Sequence, residues 1–197
     1  MTRLPAAQRR HALLEAAGRV FIAKSYAGAT TADIAREAAV SEPILYRHFA
    51  SKRDLYLACL DEVWERLREA VEEEIAQEPD AGQWVLALPK AVHRLKERRL
   101  LPPHFWIQAL SEAGSDPIIR RHIKAHMQEV HAFVRDIIVR AQEAGGVPRD
   151  RDPDGEAWIN VGIGVLRAVE DRLGGVLPPE HFAAITRSRY RWLTDRE

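Results

Sequence analysis

The sequence predicts an all-α fold of about nine helices, with an N-terminal three-helix head carrying a helix-turn-helix and a larger helical C-terminal domain. Three observations lead there. Apolar residues recur at intervals of three and four through nearly all of the 197 residues, the spacing that gathers them on one face of a helix. No stretch alternates apolar and polar residues as a half-buried strand would. Prolines and short polar residues stand where the stripes begin, because a helix start tolerates proline's missing N–H and needs a capping oxygen for its free amides.

The elements follow in order. Leu13, Ala17, Val20 and Phe21 mark a first helix over residues 6–24. Thr30 and Thr31 offer capping hydroxyls to a short helix over 31–38, with Ile34, Ala35 and Ala38 on its buried side. Ser41 caps a second short helix that carries Pro43 in its first turn and reaches about Phe49. Ser51, with Asp54 three residues on, opens a fourth helix whose stripe is Leu55, Cys59, Val63, Leu67 and Val71. Residues 77–82 (QEPDAG) break the pattern. Trp84, Leu88, Val92 and Leu95 form the next stripe, and Pro89 kinks it or restarts it. Pro102 and Pro103 open a helix with Phe105, Trp106, Ala109 and Leu110; Asp116 and Pro117 open a long one lined by Ile119, Ile123, Met127, Val130, Val134 and Ile137. Residues 144–155 read as a loop, with Asp152 and Asp154 as helix caps. Two last helices occupy about 154–173 and 178–194.

Composition narrows the class. At 46% hydrophobic and 29% charged, the chain has the makings of a packed core. No apolar run reaches the roughly 18–20 residues of a membrane span. A single cysteine, Cys59, rules out an internal disulfide and fits a reducing compartment, so the expectation is a cytoplasmic protein without a membrane partner. The formal charge of zero hides an asymmetry. Residues 1–60 hold nine basic side chains against five acids, a net +4, and the remainder is correspondingly negative. A basic head on an acidic body suits a polyanionic partner.

Residues 30–49 carry the functional signal. Two short helices joined by a turn of about three residues, Ala39 to Ser41, leave the second free to enter a DNA major groove. Tyr46, Arg47, His48 and Lys52 are donors suited to phosphate oxygens, while Pro43 and Ile44 offer apolar contact to a thymine methyl. The run TADIAREAAVSEPILYRHFASK, from Thr31 to Lys52, resembles the DNA-binding head of the tetracycline-repressor (TetR) family. Thr31, Ile34-Ala35, Val40-Ser41, Leu45-Tyr46, His48-Phe49 and Ser51-Lys52 fall in the family's register, and the likeness covers about residues 10–60. It implies phosphate contacts by Thr31, Ser41, Tyr46, His48 and Lys52, and base-edge contacts by Glu42, Pro43 and Ile44. Glu42 can only accept, so it would favour a cytosine N4 amine. Two positions depart from the pattern: Ala39 replaces the usual turn glycine, and Ser25 stands where glycine often follows the first helix. Ala32 occupies a place where some relatives carry a base-reading basic residue. The expected division is a DNA-binding domain over 1–52 and a ligand-binding and dimerisation domain over 53–197.

One head makes too few phosphate contacts for useful affinity at cellular salt, so two on a two-fold axis are expected. The helix at 154–173 is apolar on two sides and needs two partners; the family resemblance likewise places the dimer interface in the last two helices. Val161, Gly162, Val165, Val169, Phe182, Ile185 and Trp192 are its candidates. The resemblance further implies a small-molecule pocket, with Leu88, Val92, Phe105, Trp106, Gln108, Met127, Val130 and Trp158 as lining candidates, His126 and Asn160 as further polar ones, and an apolar or aromatic effector.

No nucleophile elbow, phosphate loop or zinc-hydrolase motif is present, so neither catalysis nor a cofactor is expected. His122 and His126, four apart, lack a third ligand and read as solvated surface. The sequence therefore predicts a ligand-responsive transcriptional regulator, most simply a repressor acting as a dimer on a palindromic operator. The competing class is an enzyme or carrier with an incidental helix-turn-helix, which would turn over a small molecule and ignore DNA.

Overall fold

The computed structural model describes residues 6–97 and 105–196. Among them are nine α-helices, one short 3-10 helix and no strand: α1 Ala6–Gly28, α2 Thr31–Glu37, α3 Glu42–Tyr46, α4 Lys52–Gln77, the 3-10 turn Ala81–Leu86, α5 Ala87–Glu97, α6 Phe105–Glu112, α7 Pro117–Glu143, α8 Pro153–Leu173 and α9 Pro179–Thr194. None of these helices is long and apolar enough to cross a membrane.

Local chemistry explains most boundaries. Thr30 and Asp33 form a reciprocal capping box at the head of α2. Ser51 Oγ accepts from the Asp54 amide at 3.0 Å and starts α4. Asp116 Oδ1 accepts from the Ile118 and Ile119 amides at 2.8 and 3.2 Å and starts α7. Asp152 does the same for Asp154 and Gly155 at α8; Asp154 is not itself a cap but an ion-pair partner of Arg135 at 3.1 Å. Pro89 restarts the chain instead of kinking it, standing in the first turn of α5. Trp84 accordingly lies in the 3-10 turn and not on the α5 stripe. The expected role of Pro102 and Pro103 lies outside the described residues.

Helical geometry in α1 fails at Ser25, whose φ of 60° and ψ of 169° belong to a region that glycine alone enters freely, at a cost of about 1–3 kcal/mol for other residues. Ser25→Gly is therefore expected to raise stability by about 1 kcal/mol after glycine's larger unfolded-state entropy is counted. Thermal unfolding would register an upward shift of about 2–4 °C; a fall would show that the Ser25 hydroxyl, which accepts from the Gly28 amide at 3.4 Å, outweighs the strain.

The chain forms two compact units. The first comprises the described parts of Met1–Arg66 and His104–His122, the second those of Leu67–Pro103 and Ile123–Glu197. The division falls within α4 and within α7, not at the boundary between residues 52 and 53 where the sequence suggests a change of role. Aromatic packing is the reason in the first unit. Phe21, Tyr56 and Phe105 are fully buried, with the Tyr56 ring edge-on to both phenylalanines at 5.0 and 5.1 Å. Tyr26 joins them, 4.7 Å from Tyr56. Burial raises the Tyr56 phenol well above its ordinary range and does the same to the Cys59 thiol, so Cys59 packs as a small apolar residue.

The second unit has two neighbouring cores. Ala70, Val71, Ile75, Ala87, Ala91, Leu95 and Ile137 form one; Val134, Ile138, Ala141, Val147, Ala157 and Leu193 form the other. Leu88 and Trp84 pack against both.

Candidate nucleic-acid interface

The interface candidate is built on α2, the turn after it, and α3. Ile34 and Ala35 bury the inner side of α2; Leu45 and Phe49 bury that of α3 and its trailing turn. Between them the chain reverses at Ala39, whose φ of 53° is left-handed. The substituted glycine thus leaves the turn in place at a cost of about 1 kcal/mol. The Ala39 amide donates to Arg36 O at 3.1 Å and the Val40 amide to Ala35 O at 2.9 Å, closing the end of α2. Ser41 is extended at the head of α3 but makes no side-chain cap. Its hydroxyl is exposed, as are Pro43, Tyr46 and Arg47, while Glu42, Ile44 and His48 are half-buried.

Three residues assigned to DNA from the sequence are bonded to one another. The Thr31 hydroxyl donates to Glu42 Oε2 at 2.6 Å, and the Tyr46 hydroxyl donates to Thr31 Oγ1 at 3.3 Å. This chain ties the first residue of α2 to both ends of α3. A phosphate oxygen can only accept, so Thr31 could donate to one only by releasing Glu42, whereas Tyr46 need only rotate.

Lys52 is also engaged. Its ammonium donates to Tyr26 O at 2.9 Å and to Ala29 O at 3.0 Å, and stands 4.5 Å from the Tyr26 ring centroid. Two of its three N–H groups thus hold the end of α1 against the start of α4. Sequence reading placed Lys52 at phosphate and missed this clamp, because nothing in the chain near Tyr26 announces it. It also passed over Asp33, although a Thr-x-x-Asp spacing was there to be read. Asp33 accepts from Lys24 at 2.8 Å and from Arg36 at 3.2 Å. The Lys24 ammonium and the Thr30 hydroxyl hold its carboxyl well below the usual range.

Residues 13–59 match the model of the bacterial regulatory proteins of the tetR family. A TetR-family transcriptional regulator from Cytophaga hutchinsonii superposes with a TM-score of 0.81 over 100% of both chains, at 14% identity. Residues 13–59 thus form a tetR-type head. FadR from Bacillus subtilis, solved in complex with stearoyl-CoA, has the same fold (TM-score 0.74, 16% identity, 93% of this chain and 97% of that one). The HTH-type transcriptional activator FasR of Mycolicibacterium smegmatis is 40% identical over 89 residues, 45% of this chain. The match spans only 41% of FasR.

The residues expected to gather around a ligand are distributed between the two units. Phe105, Trp106 and Gln108 belong to the first; Leu88, Val92, Met127, Val130 and Trp158 belong to the second. Phe105 is spent in the aromatic core described above. Trp158 is 48% exposed and stacks on His131 with ring centroids 4.4 Å apart, so it is a surface residue of the second unit. Leu88 and Val130 share a core cluster. Gln108 keeps a buried side-chain oxygen without a hydrogen-bond partner. His126 is buried, contrary to the solvated surface expected of it, and His122 pairs with Asp61 at 2.8 Å. Asn160 donates to Glu156 O in the preceding helical turn.

The α8–α9 segment looks different from the rest of the second unit. Of the 21 residues of α8 only Glu156 and Ala157 are buried, and in α9 only Leu193 and Thr194. Ile159, Leu173, Val176 and Trp192 are exposed alongside Trp158, and Val161, Val165, Val169, Phe182 and Ile185 are half-covered. Gly162 and Gly164 have nothing within 4 Å of where a Cβ would stand.

Proposed function

We propose that this chain is a ligand-responsive transcriptional regulator of the cytoplasm that binds an inverted-repeat DNA site as a homodimer. The observation that carries the reading is the α2–α3 pair: its inner side is fixed by Ile34, Leu45 and Phe49, while Ser41, Pro43, Tyr46 and Arg47 face solvent. That arrangement presents α3 to a major groove as a rigid edge. Phosphate contacts fall to Thr31, Ser41, Tyr46 and His48, with the third N–H of Lys52 adding its charge. Base edges fall to Glu42, Pro43 and Ile44. The uncovered α8–α9 face supplies the dimer contact, spacing two recognition helices about 34–36 Å apart or a multiple of that. An apolar or aromatic effector releases the DNA; that FadR was solved with stearoyl-CoA supports an apolar effector, with an acyl chain as the first class to try.

Selection of bound duplexes from a random library at near-physiological salt tests the reading. Enrichment of one inverted repeat is expected. A folded, ligand-free protein that enriches nothing would instead favour a small-molecule enzyme or carrier. Repression is the simplest consequence of operator binding, but the relative named as an activator supports a second reading in which the bound dimer activates. A reporter driven from the selected site separates the two by its sign. Within that site, Glu42→Ala is expected to relax base preference at one position per half-site, costing about 1–3 kcal/mol of discrimination. A selected motif identical to that of the wild type would remove Glu42 from base reading.

A further inference from the structure

Most of the head's described cations are engaged within the chain. Arg19 is paired with Glu37 at 2.7 Å, Lys24 and Arg36 with Asp33, and Arg53 with Asp116 at 3.2 Å. Lys52 is held by two carbonyls. Arg10 and Arg47 are exposed, and neither has a carboxylate partner among the described residues. Arg10 is far from α3 in sequence yet not in space: its guanidinium carbon stands 5.2 Å from the centroid of the Phe49 ring, the residue that follows His48 at the end of the α3 turn.

That contact has a chemical consequence. Stacking uses the flat face of a guanidinium and leaves the N–H groups around its edge to donate elsewhere. Phe49 is itself nearly buried, so the ring is a fixed platform. An arginine parked on it has already lost part of the rotamer freedom that binding would otherwise remove. Its N–H fork matches phosphate oxygens.

We infer that Arg10, carried by α1, is a further DNA-phosphate contact of this head, held in place by the Phe49 ring beside His48 and Arg47. The inference rests on the DNA-binding reading above and adds a residue outside the helix-turn-helix. It also states which cations act: the ion-paired Arg19 contributes nothing to the salt dependence.

The test is the slope of log affinity against log salt for the full chain on a random-sequence 30-base-pair duplex. Arg10→Gln is expected to flatten the slope by about 0.9 per head, or about 1.8 for a dimer, and to weaken all sequences alike. Arg10→Lys should keep the slope, because the charge remains, while lowering affinity severalfold through loss of the stacked fork. Arg19→Gln should leave the slope at its wild-type value. If Arg10→Gln keeps the wild-type slope, or if Arg10→Lys flattens it as much as Arg10→Gln does, the inference is overturned and Arg10 acts through packing on Phe49 alone. A wild type with no salt-dependent duplex binding would overturn this inference and the DNA-binding reading together.

Discussion

Gly146→Ala is expected to lower the thermal midpoint by about 6–12 °C, the consequence of about 3 kcal/mol of forced overpacking. A Cβ at residue 146 would stand 2.3 Å from the Gly82 amide nitrogen and 2.4 Å from the Ala81 carbonyl carbon. Both are backbone atoms of the 3-10 turn, so no side chain can swing aside to relieve the clash. The loop that carries Gly146 is fixed at its other end, where the Gly146 amide donates to Ala141 O at 2.8 Å, and Val147 is buried in the core beside it. The matched control is Gly82→Ala. The atoms nearest its Cβ would be those of the Arg196 guanidinium, the far end of a flexible side chain that can shift even though it is paired with Asp80, so it should cost far less. Equal losses for the two variants would show that the loop at 146 yields easily and that the close approach is not structural.

If the proposed homodimer forms through α8 and α9, Gly162→Glu is expected to convert it into a monomer without weakening the monomer. Nothing lies within 4 Å of the added Cβ in the single chain, and replacing a glycine inside a helix by glutamate gains a few tenths of a kcal/mol in propensity. In a dimer formed through α8 and α9, however, the carboxylate would be carried into an apolar contact without a partner. Trp158 and Gly162 lie four apart, and Val165, Val169 and Leu173 continue the stripe in helical steps; Leu173 is 67% exposed. Large apolar side chains in a row on a surface mark an interaction site. Light scattering coupled to size exclusion reads the mass, and DNA affinity should collapse with it, because each head alone makes few phosphate contacts. A Gly162→Glu protein that remains dimeric and binds DNA as the wild type does would place the contact elsewhere.

The two predictions differ in how far the sequence foresaw them. Gly162 belonged to a helix visibly apolar on two sides, and the periodicity that exposes that excess is local. Gly146 was one of three glycines in the loop read over 144–155. Its significance comes from the 3-10 turn more than sixty residues earlier, and no local pattern encodes that meeting. The same contrast runs through the head. The caps at Thr30, Ser51, Asp116 and Asp152 were legible because a capping oxygen and its amide lie within three residues of each other. The strained turn at Ala39 was legible as a missing glycine.

The order of helices, the caps at Thr30, Ser51, Asp116 and Asp152, and the helix-turn-helix were therefore determined by the sequence alone, since each rests on interactions between residues close in the chain. Ser41 and Asp154, by contrast, do not cap as their positions suggested. Tertiary structure decided what the polar and aromatic side chains do once those helices meet. It bound Thr31 to Glu42, set Lys52 on the carbonyls of Tyr26 and Ala29, and placed Arg10 on Phe49. It took Phe105 into the aromatic core of the first unit and left Trp158 on the surface of the second. A donor or an aromatic ring has many equivalent partners along a chain, and only the packing of distant segments selects one.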